Sequence, residues 1–469
     1  MPGKVFPMRI IRRRIFQQTA LNCLLALAAC GHMTLTLVLY LIGRFKLMPD
    51  AFDMNGIGIM FAADCVGYRT EAVSLINILM HKGIVAWITA PSEYLVNPLH
   101  LKLYSLSFAV CGPLLGYNIL SAEPLNLLYY LSIVWLVFAL GREAFNQRAG
   151  LFAAITVAVW PSFLLHTMQL FRDPLFIAAM LLLLLVCIHL LARNYLWPKN
   201  FILGTIGTAT ACLLWRLRSE MWEIIFLTVL AETSLLLFKQ VRERRFLTGN
   251  ATNVVLLLVI LSLPQIGKAI PLWNDSVKQL PAEAETALPP PSLENQTNMP
   301  AASKGGRPTP PGSRLPSRVS HLREEFIDSY PSAGSNIDVD VRFIGLQSIV
   351  TYLPRAMAIG LFAPFPKMWL AKGSQVGLKG RLLSGLETML MYWIELAAVI
   401  GIWRGGGNLT MWLLLIVACA GMTALGLVVV NIATLYRMRY VFWMLLIVIG
   451  AGGVSGFFSR TVEREQNLA

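Results

Sequence analysis

Residues 174–192 read PLFIAAMLLLLLVCIHLLA, nineteen positions without a charged side chain. About 20 such residues carry a helix across the hydrocarbon core of a bilayer. Lipid offers the backbone no hydrogen-bond partners, so a segment of this kind satisfies them internally as a helix. Comparable runs recur along the chain. Only 14% of the 469 residues are charged and 56% are hydrophobic, where a soluble chain carries about 25% charged residues. The sequence therefore predicts an all-α polytopic membrane protein.

The runs place about ten spans, near 19–42, 122–140, 150–168, 175–192, 201–217, 222–238, 252–267, 384–402, 409–430 and 441–458. The first follows the basic arm KVFPMRIIRRR and is too long for the apolar region of an ordinary signal peptide, so it reads as an uncleaved span. With that arm in the cytoplasm, GREAFNQR, ARNYLWPKN, KQVRERRF, WRGGG and the tail from Arg460 are also cytoplasmic. Both termini then lie inside. These segments with the arm hold 16 Lys and Arg, against 5 in the short outer turns, as the positive-inside rule requires. The formal charge of +14 thus reads as orientation and contact with membrane lipids, not as nucleic-acid binding. The localisation that follows is a plasma or bacterial inner membrane.

Three regions emerge. Residues 1–267 form an N-terminal transmembrane module whose first outer loop, 43–121, holds the amphipathic stretches EAVSLINILMHKG and LHLKLYSLSFAVCG; the second is expected to lie at the interface. Residues 268–381 form a second outer loop with a Pro-, Gly- and Ser-rich linker at about 280–318 that cannot pack a core. Its end, up to about residue 366, is apolar again, but Pro354, Pro364 and Pro366 argue against one regular span there. Residues 382–469 supply the last spans. Of seven cysteines, only Cys65 and Cys111 fall in an outer loop, so one disulfide or, more ordinarily, packed free thiols are expected.

Short outer turns should be poor in arginine, yet FRDP carries Arg172, WRLRSE carries Arg216 and Arg218, and LYRMRY carries Arg437 and Arg439. Guanidinium groups at an interface suit a phosphate or carboxylate; snorkelling to lipid headgroups is the plainer alternative. Carboxylates share that side: Asp53, Asp64, Glu71, Glu93 and Asp173. A carboxylate against an apolar surface can serve as a base. Asp64 and Asp173 could equally cap the helices they begin, and Asp53 reads as an ordinary loop residue. His100 opens the second amphipathic stretch. His81, His166, His189 and His321 show no metal-ligand spacing, and no Walker, GxSxG or HExxH motif occurs. Asn295 and Asn408 stand in N-x-T triplets.

The order of these features resembles the GT-C superfamily of membrane glycosyltransferases, within it the protein mannosyltransferase and aminoarabinose transferase group (glycosyltransferase family 39-like). DCVGYRTEAVSLINILMHKG is similar to the family's Asp followed by Tyr and an alanine-bearing helix. NPLHLKLYSLSF stands where the family has a Pro-Pro-Leu element, and GREAFNQRAGLFAAITVAVWPSFLLHTMQLFRDPLF matches a basic turn, an alanine-glycine-rich span, a proline and then an Asp. The chain departs from the pattern where Cys65 replaces a second acid after Asp64, and in its Pro-rich insertion.

The resemblance implies transfer of a sugar from a polyprenyl-phosphate donor to a lipid, polysaccharide or protein acceptor at the outer face, with inversion. Asp64 would be the base and Asp173 would orient a substrate. Arg172, Arg216, Arg218, Arg437 and Arg439 would hold the phosphate, with Tyr68, Glu93 and His100 as further substrate contacts. No cofactor is specified, although a divalent cation is compatible with the family. The alternatives are a surface-polysaccharide polymerase or ligase using a lipid diphosphate, and a transporter of a lipid-linked substrate.

Overall fold

The computed structural model describes residues 6–47, 64–92, 98–244, 248–269, 315–329, 335–370 and 377–468; within these, the side chains of 6–18, 64, 266–269, 315, 329, 377–380 and 457–468 are outside the description. Asp53, Glu93, Asn295 and nearly all of the Pro-rich linker lie outside the described residues. Among those described, the fold is helical, with one isolated β-bridge, Asn336 to Asn431.

In chain order the helices are α1 (Phe6–Arg44), α2 (Asp64–Thr89), α3 (Leu99–Leu115), α4 (Ile119–Ala144), α5 (Gln147–Ala158), α6 (Pro161–Thr167), α7 (Asp173–Ala192), α8 (Trp197–Leu217) and α9 (Trp222–Glu243). They continue with α10 (Gly249–Ala269), α11 (Leu315–Ser329), α12 (Leu346–Phe362), α13 (Pro366–Trp369), α14 (Gly377–Arg404), α15 (Leu409–Val428), α16 (Ile432–Met438) and α17 (Tyr440–Leu468). A 3-10 turn, Ser219–Met221, joins α8 to α9. Asparagines mark several starts, because their short side chains accept the unpaired first-turn N–H groups. Asn118, Asn146, Asn408 and Asn431 cap α4, α5, α15 and α16 in this way. Prolines at the first or second position begin α6, α7, α8 and α13, where their missing N–H costs no bond.

Among the described residues, seven helices are long and apolar enough to cross a membrane, or nine if two bent pairs each make one span. The bent pairs are α5 with α6, at 69°, and α16 with α17, at 55°. Against the expected ten, the described residues thus hold seven to nine candidate spans. Polar residues such as Asn200 and three threonines dilute α8, and α10 offers only a 17-residue apolar stretch, Gly249–Gln265. Cys65–Thr89 of α2, expected as an amphipathic loop segment, qualifies by length and composition, but Gly83 at φ 81° kinks it. The 17-residue α3 is shorter than a span, as expected for an interfacial helix. It pairs with α2 through Trp87 Nε1 donating to Ser105 Oγ at 2.9 Å.

The helix that opened the sequence argument is the centre of the bundle. Of the most apolar window of α7, 72% is buried, against 17% for α1. A helix that is hydrophobic all round has no solvent face to present, and α7 packs against α4, α8, α9 and α15. The apolar end of the second outer loop becomes α12, which is laid tightly on α15. A Cβ at Gly360 would meet the Met422 carbonyl, and one at Gly426 the Ala356 carbonyl, the close backbone approach that small residues permit between membrane helices.

Contacts sort the turns into two ends. At one, Asn408 Nδ2 donates to the Ala144 carbonyl at 2.6 Å, Asn146 to Ser455 at 3.1 Å, and Arg193 pairs with Glu143 at 2.5 Å. These belong to the basic segments assigned to the cytoplasm. FRDP, WRLRSE and LYRMRY gather at the opposite end. All seven cysteines are free, so Cys65 and Cys111 follow the ordinary expectation of packed thiols.

Candidate active site at the arginine-bearing end

Asp173 begins α7 directly before Pro174, which suits the first turn of a helix. It does not cap the helix with its side chain. Its carboxylate is buried, ion-paired with Arg218 through Oδ1, and its Oδ2 lies 3.3 Å from His166 Nε2. The two partners come from different turns: His166 from the last turn of α6, and Arg218 from the link between α8 and α9. A carboxylate this deep is tolerated only when paired. Burial opposes the charge on Arg218, but the carboxylates of Asp173 and Glu220 outweigh it and raise its pKa.

The neighbouring Arg172 turns the other way. Its Nη1 donates to the Leu217 carbonyl at 3.2 Å and its Nη2 to Glu220 at 3.2 Å. Glu220 also receives Arg218 Nη1 at 3.3 Å. Arg437, in the last turn of α16, lies with its guanidinium 4.8 Å from the centre of the Phe171 ring. That ring in turn stacks on His166 at 4.7 Å. Three turns that are distant in sequence therefore meet around Asp173.

Helices α2 and α3 close over this cluster. Tyr104 of α3 donates to Asn126 at 2.6 Å and to the Gln169 carbonyl at 3.1 Å. Cys65 Sγ donates to Gln169 Oε1 at 3.4 Å, which brings the start of α2, and so the backbone at position 64, beside the turn that precedes Asp173. The Asp64 side chain is outside the described residues. Tyr68 packs edge-on to His100 at 5.3 Å and is an electrostatic neighbour of Arg218. His100 is fully buried, and neither ring nitrogen has a hydrogen-bond partner. Burial, then the charge of Arg172, pushes its pKa down to about 3, so it stands as a neutral imidazole beside the cationic turns.

Arg216 is half-buried in the last turn of α8. Arg439, expected beside Arg437 as a phosphate ligand, is instead sealed in the protein. Its Nη1 donates to the carbonyls of Gly360, Leu361 and Ala363, its Nη2 to Met391 Sδ, and its plane covers Tyr436 at 4.4 Å. At i and i+2 on a short helix and its cap, Arg437 and Arg439 cannot face one way. Asn408, in an N-x-T triplet, caps α15 at the end of the bundle away from the site.

Residues the sequence did not single out complete the cluster: His166, Glu220, Phe171 and Gln169. Glu387 of α14 is a further one. Its Oε1 accepts from Ser162 N at 3.0 Å and its Oε2 from Tyr436 OH at 2.9 Å, while Tyr440 OH donates to Ser162 Oγ at 2.6 Å. It thereby ties together the two broken spans, which carry His166 and Arg437. The only sequence signal was an acid, one of two with Glu395, within a mostly apolar span. Among the described residues no three His, Cys, Asp or Glu side chains gather as a metal-binding set.

Long apolar helices with a charged cluster at one end of the bundle describe a multi-pass membrane protein with a polar site at that end. Among solved structures, the fold is similar to the oligosaccharyltransferase AglB of Archaeoglobus fulgidus, determined with an inhibitory peptide and a dolichol-phosphate, at 14% identity and a TM-score of 0.44. That match covers 94% of this chain and 52% of AglB. The apo form of the A. fulgidus oligosaccharyltransferase matches at 14% identity and a TM-score of 0.47, over 93% and 52% of the two chains. The chain thus spans about half the length of these proteins. No protein-family profile and no curated protein sequence matches it.

Proposed function

We propose that this chain is a GT-C-type membrane glycosyltransferase that moves a sugar from a polyprenyl-phosphate donor to an acceptor at the outer face. The observation that carries the proposal is the convergence of Arg172, Arg218 and Arg437 around Asp173 at one end of the bundle. Guanidinium groups fixed before the reaction stabilise charge as it develops on a leaving phosphate. A lipid-borne donor accounts for the site's place at the membrane surface, since its tail stays among the spans while its headgroup reaches the cluster.

In the proposed step an acceptor oxygen or nitrogen attacks the anomeric carbon as the bond from that carbon to the phosphate oxygen breaks. The acceptor proton passes to Asp64, the electron pair goes to the phosphate, and configuration inverts. Asp173, held by Arg218 and His166, serves as an orienting group, because its lone pairs are already engaged. Arg172 and Arg437 approach the phosphate, Arg218 does so through Nη1, which Asp173 does not hold, and Tyr68 and His100 wall the site. Arg439 acts through the position of the α16–α17 break.

The test is transfer from radiolabelled polyprenyl-phosphate sugars in membranes bearing wild type, Asp64→Asn or Asp173→Asn at equal expression. We expect wild-type transfer, none above background for Asp64→Asn, and about a hundredfold loss for Asp173→Asn. Full turnover in both variants overturns the residue roles. Activity with diphosphate donors alone moves the chain to the polymerase or ligase class.

A further inference from the structure

We propose that the Glu220 carboxylate occupies the seat of the donor phosphate in the unliganded protein and must leave it for the donor to bind. The inference rests on the reading above and adds a residue that sets when, and for what headgroup, the site is open.

Two guanidinium groups from separate turns converge on a single atom, Glu220 Oε1: Arg172 Nη2 at 3.2 Å and Arg218 Nη1 at 3.3 Å. Each arginine is anchored from behind. Arg172 Nη1 is on the Leu217 carbonyl, and Arg218 Nη2 is on Asp173. Each therefore presents one nitrogen, at fixed position, to one point outside. A phosphate oxygen at that point would receive the same two charge-assisted bonds.

Exposure separates the two acids of the cluster. The side chain of Asp173 is 7% exposed and that of Glu220 is 32% exposed. Glu220 sits in the three-residue turn Ser219–Met221, so it can swing aside without moving a span. Asp173 cannot. With Glu220 in place, Arg172 and Arg218 are balanced by two carboxylates. With it withdrawn, the pair and Asp173 together carry one excess positive charge, to which Arg437 adds a second, a field that favours an ionised phosphate ester over a neutral headgroup. A phosphate approaching the seated carboxylate meets a like charge at the same point.

Beyond the turn, Arg318 of α11 pairs with Glu223 at 2.9 Å, one helical turn along from Glu220. Glu325 of the same helix is also within electrostatic range of Glu220. Glu223 and Glu325 both repel the Glu220 carboxylate, so the charges around α11 bear on how firmly it is seated. This links α11, the helix that follows the Pro-rich stretch, to occupancy of the site.

The test is calorimetric titration of the detergent-solubilised full chain with citronellyl phosphate, citronellol and short-chain phosphatidic acid. Wild type is compared with Glu220→Gln, Glu220→Ala and Arg172→Gln, and the thermal midpoint of each is recorded to confirm folding. Both Glu220 variants should bind citronellyl phosphate about fivefold more tightly than wild type. Arg172→Gln should weaken binding, and citronellol should show no gain. An unchanged or weaker Kd in the Glu220 variants, with binding still dependent on Arg172, overturns the gate and leaves the glycosyltransferase reading standing. An equal gain with phosphatidic acid supports the gate for phosphate monoesters but removes the prenyl donor. No binding of citronellyl phosphate by any variant overturns both.

Discussion

Asp173 and Arg218, 45 positions apart in sequence, form a buried ion pair that joins the head of the central helix to the link between its two neighbours. Removing one member of such a pair leaves the other charged and unsolvated, at a cost of about 3–5 kcal/mol, whereas removing both costs less. We expect Asp173→Asn and Arg218→Gln each to lower stability strongly, and the double variant to lose clearly less than their sum. Denaturation in mixed micelles checks this. Additive losses would show that the two side chains do not act as a pair.

Arg437 and Arg439 should separate cleanly. Arg439→Met strips the donor from three backbone carbonyls at the end of α12 and should destabilise the protein by about 3 kcal/mol or more. Arg437→Met removes a contact with the Phe171 ring, worth about 1 kcal/mol, but should abolish most sugar transfer. Thermal midpoints and transfer assays on the same preparations compare them. A stable, active Arg439→Met would remove its positioning role.

Glu387 should behave as a tie between the broken spans. Glu387→Ala leaves the Ser162 N–H and the Tyr436 hydroxyl without their acceptor, costing about 2–4 kcal/mol. Glu387→Gln keeps an acceptor for one of them and should lose about half as much. Combining either with Tyr436→Phe should give less than additive loss in a double-mutant cycle. Independence of the two sites would refute the tie.

His100 makes stability depend on pH. Its folded pKa of about 3 lies below the ordinary 6.5, so the unfolded chain binds a proton that the folded chain refuses. The stabilisation from this residue is complete above pH 6.5 and declines as pH falls towards 3. Between pH 7 and pH 5 the loss is about 2 kcal/mol. His100→Phe should flatten that part of the profile in thermal scans. An unchanged slope would show that the residue is not the source.

Orientation is open to direct chemical measurement. In a background with the seven cysteines replaced, Arg342→Cys should react with a membrane-impermeant maleimide in intact cells. Arg244→Cys should react only after permeabilisation. The reverse pattern would invert the topology and put the cluster at the cytoplasmic surface.

Membrane embedding, the helical class and the sorting of turns between two ends were legible in the chain, because hydrocarbon length and loop charge are local quantities that sequence records directly. Arg172 and Arg218 stood out for the same reason: a cation in a turn that should lack one is visible without a neighbour. Span number was less legible. Gly83 and the 69° and 55° bends arise where an apolar run is long enough but its backbone breaks. Direction lay beyond the sequence altogether. Arg437 and Arg439 differ by two positions, yet one faces the Asp173 cluster and the other closes carbonyls 76–79 residues away. His166, Glu220 and Glu387 carry no distinguishing local pattern either. Their roles exist only because folding brings distant turns to one point, where burial makes each charge depend on the partner it meets.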